Sequence, residues 1–164
     1  MNKVNFLNDE YTLLGTEAKL GDKVMLKGVL AGTFNTKDYE NNGKYTVVVV
    51  FPSIDTRVCD MQVALANSFA QEFENVNFVS FSQDLPTALA SYIDQHKITK
   101  IQMFSDYKHR EMALSLGLLI DQLFLNARAM LVLDKDNNLV YKQVNKNVHE
   151  QVDFDSLREF LSKI

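Results

Sequence analysis

Cysteine is nearly absent from this chain: Cys59 is the only one among its 164 residues. A single thiol excludes an internal disulfide, a Cys-x-x-Cys redox motif and any zinc or iron–sulfur site that needs several cysteines. Any chemistry at Cys59 must therefore proceed without a second cysteine of the same chain.

An excess of one charge sign is also missing, since 17 lysines and arginines stand against 21 aspartates and glutamates. This mildly acidic composition lacks the basic surface that nucleic acid or anionic lipid requires, so neither is an expected partner. The longest clean apolar run, residues 47–51, is far shorter than the roughly 20 residues of a membrane-spanning helix. Residues 1–10 show no signal peptide, and we therefore expect a cytoplasmic protein.

Motifs for metals, nucleotides and linkers are missing as well. His96, His109 and His149 have no ligand-like spacing, so no metal is expected. There is no Gly-x-Gly-x-x-Gly or Walker-type loop, so no nucleotide cofactor is expected either. No stretch rich in proline, glycine or serine divides the chain. With 46% hydrophobic residues, residues 1–164 can bury a sizeable core and are predicted to form one domain.

Strands are predicted at five places by β-branched and apolar residues: 46–51, 77–81, 100–104, 127–133 and 139–144. The first of these is apolar on both faces, which is typical of the central strand of a sheet covered on both sides. A short N-terminal hairpin is predicted around the turn-like Asn8-Asp9. Residues 24–34, interrupted by Gly28 and Gly32, carry the weakest signal.

Helices are predicted between and after these strands. After the first strand, Asp55 or Thr56 can cap a helix whose buried stripe is predicted from three- and four-residue steps: Val58, Met61, Leu65, Phe69 and Phe73. Pro86 opens a second helix, Gly117 ends a third, and Asp153 caps a C-terminal one. Strands that alternate with helices need crossovers and thus a largely parallel sheet, to which the late hairpin adds an antiparallel part. The predicted fold is α/β and thioredoxin-like: a mixed central β-sheet flanked by helices, with an N-terminal β-hairpin extension.

Cys59 falls in the first turn of the helix predicted after the central strand. Unpaired backbone N–H groups and the positive end of the helix dipole favour an anion there, and the thiolate is the nucleophilic form of cysteine. Two interpretations stay open on these grounds. Cys59 is either a reactive thiol or a small buried apolar residue, as free cysteine commonly is.

The residues before Cys59 form the pattern Pro-x-x-x-Thr-x-x-Cys. Pro52 ends the strand and, because it has no N–H, can pack over the thiol and restrict water. Thr56 lies three residues before Cys59, so in a helical first turn its hydroxyl can reach the sulfur or an oxygen bound to it. Such a hydroxyl can hold a peroxide while the sulfur attacks.

The segment Pro-Ser-Ile-Asp-Thr-Arg-Val-Cys-Asp-Met-Gln, from Pro52 to Gln62, resembles the active-site loop of the bacterial thiol peroxidase (Tpx) subfamily of the peroxiredoxins. Later segments are similar to that subfamily in the same order and at similar spacing: Ser82-Gln83-Asp84-Leu85-Pro86, Ser105-Asp106-Tyr107, Gly117-Leu118-Leu119-Ile120 and residues 127–134. The resemblance spans nearly the whole chain.

This resemblance implies that Cys59 is the peroxidatic nucleophile, that Thr56 orients the peroxide and that Pro52 shields the thiolate. It also implies that Arg128 stabilises the thiolate and polarises the O–O bond. Arg128 makes chemical sense by itself, because an arginine in an apolar strand is costly to bury without an anion; the alternative is an edge strand that points it to solvent. Gln62, one turn after Cys59, is expected either to hydrogen-bond Arg128 or the loop, or to face solvent.

The chain departs from the subfamily at three places. Arg57 stands where the family usually has proline, so either the loop is less rigid or a second cation lies near the sulfur. Ile93 stands where the subfamily usually has a resolving cysteine. Residues 21–34 lack the Pro-Asp-Phe segment that the family often shows, which leaves that edge of the pocket undefined.

We therefore expect an enzyme, a thiol-dependent peroxidase that reduces hydrogen peroxide and alkyl hydroperoxides through a sulfenic acid at Cys59. Because no resolving cysteine is present, an external thiol must restore it, either a thioredoxin-like protein or a thiol of low molecular weight. No cofactor is expected. The alternatives are a non-catalytic thioredoxin-fold binding protein and a cysteine-based redox sensor. The resemblance, together with apolar residues such as Phe124 beyond the needs of the core, predicts a homodimer.

Overall fold

The computed structural model describes residues 2–164. In chain order the elements are β1 (Lys3–Phe6), β2 (Asp9–Leu14), β3 (Lys27–Leu30), β4 (Thr36–Asp38), β5 (Thr46–Val50), α1 (Arg57–Glu72), β6 (Asn77–Ser82), α2 (Pro86–His96), β7 (Ile101–Ser105), α3 (Glu111–Leu116), β8 (Leu119–Ile120), β9 (Ala129–Leu133), β10 (Leu139–Val144) and α4 (Phe154–Leu161). The predicted alternation of strands and helices is thereby confirmed. β3, β4 and β8 were not predicted as separate strands, because each has only two to four residues.

The main sheet has the strand order β10-β9-β5-β6-β7-β3-β4. β5, β6 and β7 are parallel neighbours, whereas β9 pairs antiparallel with β5, and β3 antiparallel with β7. The sheet is therefore mixed, as predicted. β6 rather than β5 holds the central position, because β3 and β4 extend the sheet beyond β7. β5 is still buried along its whole length, as its apolar residues on both faces predict.

The N-terminal hairpin is confirmed, with β1 paired antiparallel to β2. β2 also pairs with β8, which makes a separate three-stranded sheet. This small sheet and α3 cover one face of the main sheet, where Val4, Leu13 and Met112 share a core with Val48 and Val50. The hairpin thus contributes side chains to the hydrophobic core on this face of the main sheet.

The opposite face of the main sheet is covered by α1, α2 and α4. Their buried side chains, among them Val63, Leu89 and Leu157, pack against Val47 and Val49 of β5. Each residue of β5 therefore contributes to one of two cores on alternate faces, as the period of a strand requires. The loops at the carboxyl ends of β5 and β6 lie at the edge of the sheet where α1 and α2 begin.

The buried face of α1 differs from the predicted stripe. Met61 and Leu65 are 50% and 39% exposed, whereas the residues that face the sheet are Cys59, Gln62, Val63, Ala66, Phe69 and Ala70. The small side chains of Ala66 and Ala70 fit close to the sheet, and Gln62 is buried because its amide finds polar partners there. Of the predicted stripe only Phe69 is fully buried, so the prediction of this face was wrong.

The predicted helix ends are confirmed at three of the four helices. Pro86 is the first residue of α2, Asp153 caps α4 by accepting a hydrogen bond from the Ser156 N–H, and Gly117 ends α3 with a φ of 70°. At α1, Thr56 occupies the N-cap position without a capping bond from its side chain. No helix among residues 2–164 combines the length and apolar character needed to cross a bilayer.

Gly117 is constrained both by its backbone conformation and by a neighbouring segment that lies close to it. Its replacement tests both constraints. Its φ of +70° is left-handed, and a Cβ there would lie 2.7 Å from the Glu17 Cα. We expect Gly117→Ala to lower the free energy of unfolding by about 2 to 3 kcal/mol, measured by urea denaturation. The matched control is Gly43→Ala, with a φ of +76° and open space around the added Cβ, for which about 1 kcal/mol is expected. Equal losses in the two variants would contradict the close approach.

Candidate active site

Cys59 is the third residue of α1 and lies just beyond the loop that follows β5. Its side chain is fully buried and forms no disulfide. In the first turn of a helix the backbone N–H groups lack intrahelical acceptors, and the positive end of the dipole favours an anion. The predicted position of Cys59, in the first turn of the helix after a buried strand, is confirmed.

Arg128 lies against the sulfur of Cys59. Its Nη2 donates to Sγ at 3.3 Å, its Nη1 donates to Gln62 Oε1 at 2.7 Å, and its Nε donates to the Val148 carbonyl at 2.8 Å. Only 2% of Arg128 is exposed, so the alternative of a solvent-facing arginine on an edge strand is wrong.

None of these acceptors carries a negative charge while Cys59 is a thiol. Within residues 2–164, Arg128 forms no ion pair with any carboxylate. Burying an uncompensated guanidinium is costly, and ionising a thiol at 3.3 Å would supply the missing counter-charge. Of the three acceptors of this guanidinium, the Cys59 sulfur is thus the one that can carry a negative charge.

Gln62 holds Arg128 in place. Its Oε1 accepts from Arg128, and its Nε2 donates to the carbonyls of Val50 and Ala129, each at 3.2 Å. These two carbonyls belong to neighbouring strands, β5 and β9. The side chain is fully buried, which decides between the two alternatives for Gln62 in favour of the bond to Arg128.

Pro52 and Thr56 lie in the loop that leads into the Cys59 turn. Pro52 is buried. Thr56 is exposed, and its hydroxyl donates to the Ser53 carbonyl at 3.0 Å, which leaves the hydroxyl lone pairs free. Among the described residues Thr56 makes no hydrogen bond to Cys59. The structure thus brings Arg128 into contact with Cys59, and places Thr56 one turn before it.

Arg57 makes no hydrogen bond to the Cys59 sulfur within residues 2–164. It is the first residue of α1, its side chain is exposed, and within residues 2–164 it takes part in no hydrogen bond or ion pair through its guanidinium. Ile93, at the position of the usual resolving cysteine, is partly buried and packs against the core between the sheet and α1. No group of three or more metal-ligating side chains occurs in the part of the chain that the structure describes.

Asp84 has a role in the site that the sequence argument missed. It follows β6, and its Oδ2 accepts from the Ile54 N–H at 2.9 Å and from the Ser82 hydroxyl at 2.7 Å, while its Oδ1 lies 3.1 Å from the Ser53 hydroxyl. Burial raises the pKa of Asp84 above its usual range, although these hydrogen bonds oppose the shift. In the sequence, Asp84 stands out only because its segment, Ser-Gln-Asp-Leu-Pro, resembles one of the thiol peroxidase subfamily. The physical signal was the parallel pairing of β5 and β6, which brings the two following loops to one edge of the sheet.

Gln62 offers a direct test of the buried polar network. We expect Gln62→Leu to lower the free energy of unfolding by about 2 kcal/mol, because Arg128 Nη1 and two buried carbonyls lose a partner. The matched control is Gln102→Leu, an exposed glutamine of β7, for which a change within about 0.5 kcal/mol is expected in the same denaturation assay. A loss no larger than that of the control would contradict the role of Gln62.

Asp84 predicts a pH dependence of stability. Because its folded-state pKa is raised above the unfolded value of 3.8, the native state binds its proton more tightly than the unfolded state does. We therefore expect the unfolding free energy of wild type minus that of Asp84→Asn to fall as the pH rises from 3.8 through the raised pKa. Urea denaturation at a series of pH values measures this difference.

Glu111 provides a control of opposite sign for the Asp84 experiment. Its hydrogen bond and attraction to Lys27 lower the pKa of Glu111 below 4.5, so the stability that it contributes is present above that pH and is lost as the pH falls through the lowered pKa. The difference between wild type and Glu111→Gln should therefore rise with pH. If the difference in unfolding free energy between wild type and Asp84→Asn also rises with pH, or stays constant, this would contradict the raised pKa of Asp84.

Comparison with known proteins agrees with this architecture. The family model for the AhpC/TSA family matches residues 18–142. A thiol peroxidase from Oceanobacillus iheyensis is 34% identical over 166 aligned residues, covering 99% of this chain and all of the relative, and a thiol peroxidase from Bacillus subtilis is 35% identical over 144, covering 87% and 86%. A solved peroxiredoxin-like protein from Aquifex aeolicus has a TM-score of 0.88 at 26% identity and covers 99% of this chain and 97% of its own. These matches confirm the thioredoxin-like fold, and the chain belongs to the AhpC/TSA family and, within the peroxiredoxins, to the thiol peroxidase subfamily.

Proposed function

We propose that this protein is a thiol-dependent peroxidase that reduces hydrogen peroxide and alkyl hydroperoxides through Cys59. The observation that carries the proposal is the buried Arg128 guanidinium, which donates to the Cys59 sulfur and has no carboxylate partner within residues 2–164. A cysteine that only filled space in the core would not need a buried cation at its sulfur. The relatives that are named thiol peroxidase support the same activity.

The first step is the attack of the Cys59 thiolate on the distal oxygen of the hydroperoxide. An S–O bond forms and the O–O bond breaks, so that the sulfur is oxidised to a sulfenic acid while the peroxide is reduced. The departing hydroxide or alkoxide takes up a proton and leaves as water or alcohol. In the proposed roles, Arg128 stabilises the thiolate and then the charge that develops on the breaking O–O bond.

Thr56 and Pro52 complete the proposed peroxide site. The Thr56 hydroxyl donates to the Ser53 carbonyl, so its oxygen lone pairs are directed away from that bond and are available to the peroxide O–H. Pro52 has no N–H and is buried, so it excludes water from the loop before Cys59 without an unsatisfied donor. Positioning of the peroxide in line with the sulfur is the main contribution expected of these residues.

Regeneration of Cys59 requires a thiol from outside the chain, since no second cysteine is present. A first thiol attacks the sulfenic sulfur and releases water, which leaves a mixed disulfide on Cys59. A second thiolate attacks the external sulfur of this mixed disulfide, which releases a free disulfide and returns the Cys59 thiolate. Two external thiols are thus oxidised for each peroxide that is reduced, by a one-cysteine mechanism.

A binding protein or a redox sensor is not favoured, because the relatives that this chain matches over most of its length are named thiol peroxidase. The whole chain, residues 1–164, is proposed to act as one domain without a cofactor. A homodimer, a cytoplasmic location and the choice between a thioredoxin-like protein and a small thiol stay predictions from the sequence.

The enzymatic proposal is tested by replacing the nucleophile. Cys59→Ser should reduce peroxide consumption in the presence of dithiothreitol by at least about a thousandfold, because a hydroxyl replaces the thiolate. In the wild type, one oxidised dithiothreitol should form per peroxide, and mass spectrometry after one equivalent of peroxide without thiol should show an addition of about 16 Da, as a sulfenic acid requires.

A matched control is Ser68→Ala, an exposed serine on the outer side of the same helix, which should leave turnover unchanged. Full activity in Cys59→Ser would overturn the proposal. A single stoichiometric oxidation of wild-type Cys59, without turnover under any thiol, would favour the sensor over the enzyme.

A further inference from the structure

The peptide group between Ser53 and Ile54, in the loop before α1, is held at both of its polar atoms. Its N–H, which belongs to Ile54, donates to Asp84 Oδ2 at 2.9 Å. Its carbonyl, which belongs to Ser53, accepts from the Thr56 hydroxyl at 3.0 Å and from the Thr56 N–H at 3.2 Å. In a planar trans peptide group the N–H and the C=O point in opposite directions, so whatever fixes the N–H also fixes the carbonyl.

Asp84 is itself fixed to the ends of two strands. It lies two residues after β6, and its Oδ2 accepts a second hydrogen bond from the hydroxyl of Ser82, the last residue of β6, at 2.7 Å. Its backbone carbonyl accepts from the hydroxyl of Ser105, the last residue of β7. Ser82 and Ser105 are both fully buried. The acceptor that meets the Ile54 N–H is therefore anchored in the main sheet, and the loop before Cys59 takes its position from that anchor.

The orientation of the Thr56 hydroxyl depends on the same peptide group. A hydroxyl has one proton, and that of Thr56 is donated to the Ser53 carbonyl, so this oxygen acts toward a peroxide as an acceptor. An acceptor on the N–H of a peptide group also strengthens its carbonyl as an acceptor, because the two hydrogen bonds polarise one another. If the peptide plane turned, the carbonyl would point away from Thr56, and the hydroxyl would be free to rotate and to donate elsewhere.

Asp84 has no direct connection to the sulfur. Among the described residues its side chain makes no hydrogen bond with Cys59 or Arg128, and the three acceptors of Arg128 lie in other segments. Loss of the Asp84 carboxyl therefore changes the loop that holds the peroxide and leaves the contact between Arg128 and Cys59 in place.

We propose that Asp84 is a positioning residue of the peroxide site: it holds the peptide group between Ser53 and Ile54 so that the Thr56 hydroxyl presents its lone pairs to the peroxide O–H. The inference rests on the proposed peroxidase function and gives Asp84 a part in its first step. The contact with the Ile54 N–H does not require a negative charge, since the carbonyl oxygen of a neutral acid or of an amide accepts the same bond.

Three replacements of Asp84 separate the hydrogen bond from the charge. The measured quantity is the second-order rate constant for oxidation of Cys59 by hydrogen peroxide, obtained by rapid quench and mass spectrometry. Asp84→Ala should lower it about tenfold, because the peroxide is held less precisely in line with the sulfur. Asp84→Leu fills the same volume without an acceptor, which keeps the test available should Asp84→Ala not fold, and it should give the same loss. Asp84→Asn should stay within about twofold of the wild type, since its amide oxygen still accepts from the Ile54 N–H.

A double-mutant cycle with Thr56→Val tests whether Asp84 acts through the Thr56 hydroxyl. Thr56→Val keeps the branched shape of the side chain and removes the hydroxyl, so it should slow Cys59 oxidation at least as much as Asp84→Ala does. In that background Asp84→Ala should change the rate constant by less than about twofold, because no hydroxyl remains to be oriented. A role of Asp84 in folding alone would lower the rate constant by the same factor in both backgrounds.

The matched control is Asp134→Ala. Asp134 Oδ1 also accepts from two backbone N–H groups, those of Asp136 and Asn138, at 2.8 and 2.9 Å. It directly follows β9, whereas Arg128 directly precedes that strand, so Asp134 lies at the opposite edge of the sheet. Its replacement should leave the rate constant of Cys59 oxidation unchanged.

The outcomes distinguish this inference from the function on which it rests. If peroxide does not oxidise Cys59 in the wild type, the peroxidase proposal fails. If it does, and both Asp84→Ala and Asp84→Leu react as fast as the wild type, only the role of Asp84 is overturned. Two further results would also overturn that role: Asp84→Asn as slow as Asp84→Ala, or the same loss from Asp84→Ala with and without the Thr56 hydroxyl.

Discussion

The structure of the site depends on one interaction, the contact between the buried Arg128 guanidinium and the Cys59 sulfur. A guanidinium that is 2% exposed and has no carboxylate partner in the described chain is stable only if its surroundings supply acceptors. Gln62 and the Val148 carbonyl supply two, both neutral, and the sulfur supplies the third. Of these three acceptors only the sulfur can carry a negative charge, and the proposed mechanism uses that charge as its nucleophile.

The sheet makes that contact possible. α1 follows β5, while Arg128 directly precedes β9, and β5 and β9 are antiparallel neighbours with Val50 opposite Ala129. The carboxyl end of one strand therefore meets the amino end of the other, where Gln62 bonds both strands through their carbonyls. On the other side of β5, the parallel β6 ends beside it and delivers Asp84 to the loop before Cys59.

Much of this fold follows from local sequence, and the exceptions have physical causes. Pro86, Gly117 and Asp153 mark helix ends because their effect on the backbone does not depend on distant residues. The predicted stripe on α1 is wrong because Met61 and Leu65, despite their large apolar side chains, lie on the exposed side of the helix. Small residues pack closer to a sheet than large ones do, and a buried amide such as that of Gln62 is stable wherever it finds partners. Neither effect is visible in hydrophobic periodicity.

The amino-acid sequence by itself determined that Cys59 is the only thiol, so the proposed thiol chemistry has one sulfur to act at and needs another molecule for its recovery. Ile93 stands where the subfamily usually has a second cysteine. Only the tertiary structure decided which side chains lie beside that thiol. The bonds from Arg128 to Gln62 and to Cys59 span 66 and 69 positions of the chain. The contact between Asp84 and Ile54 likewise joins separate segments. Contacts of this kind arise from strand order and helix packing, and no local pattern of residues encodes them.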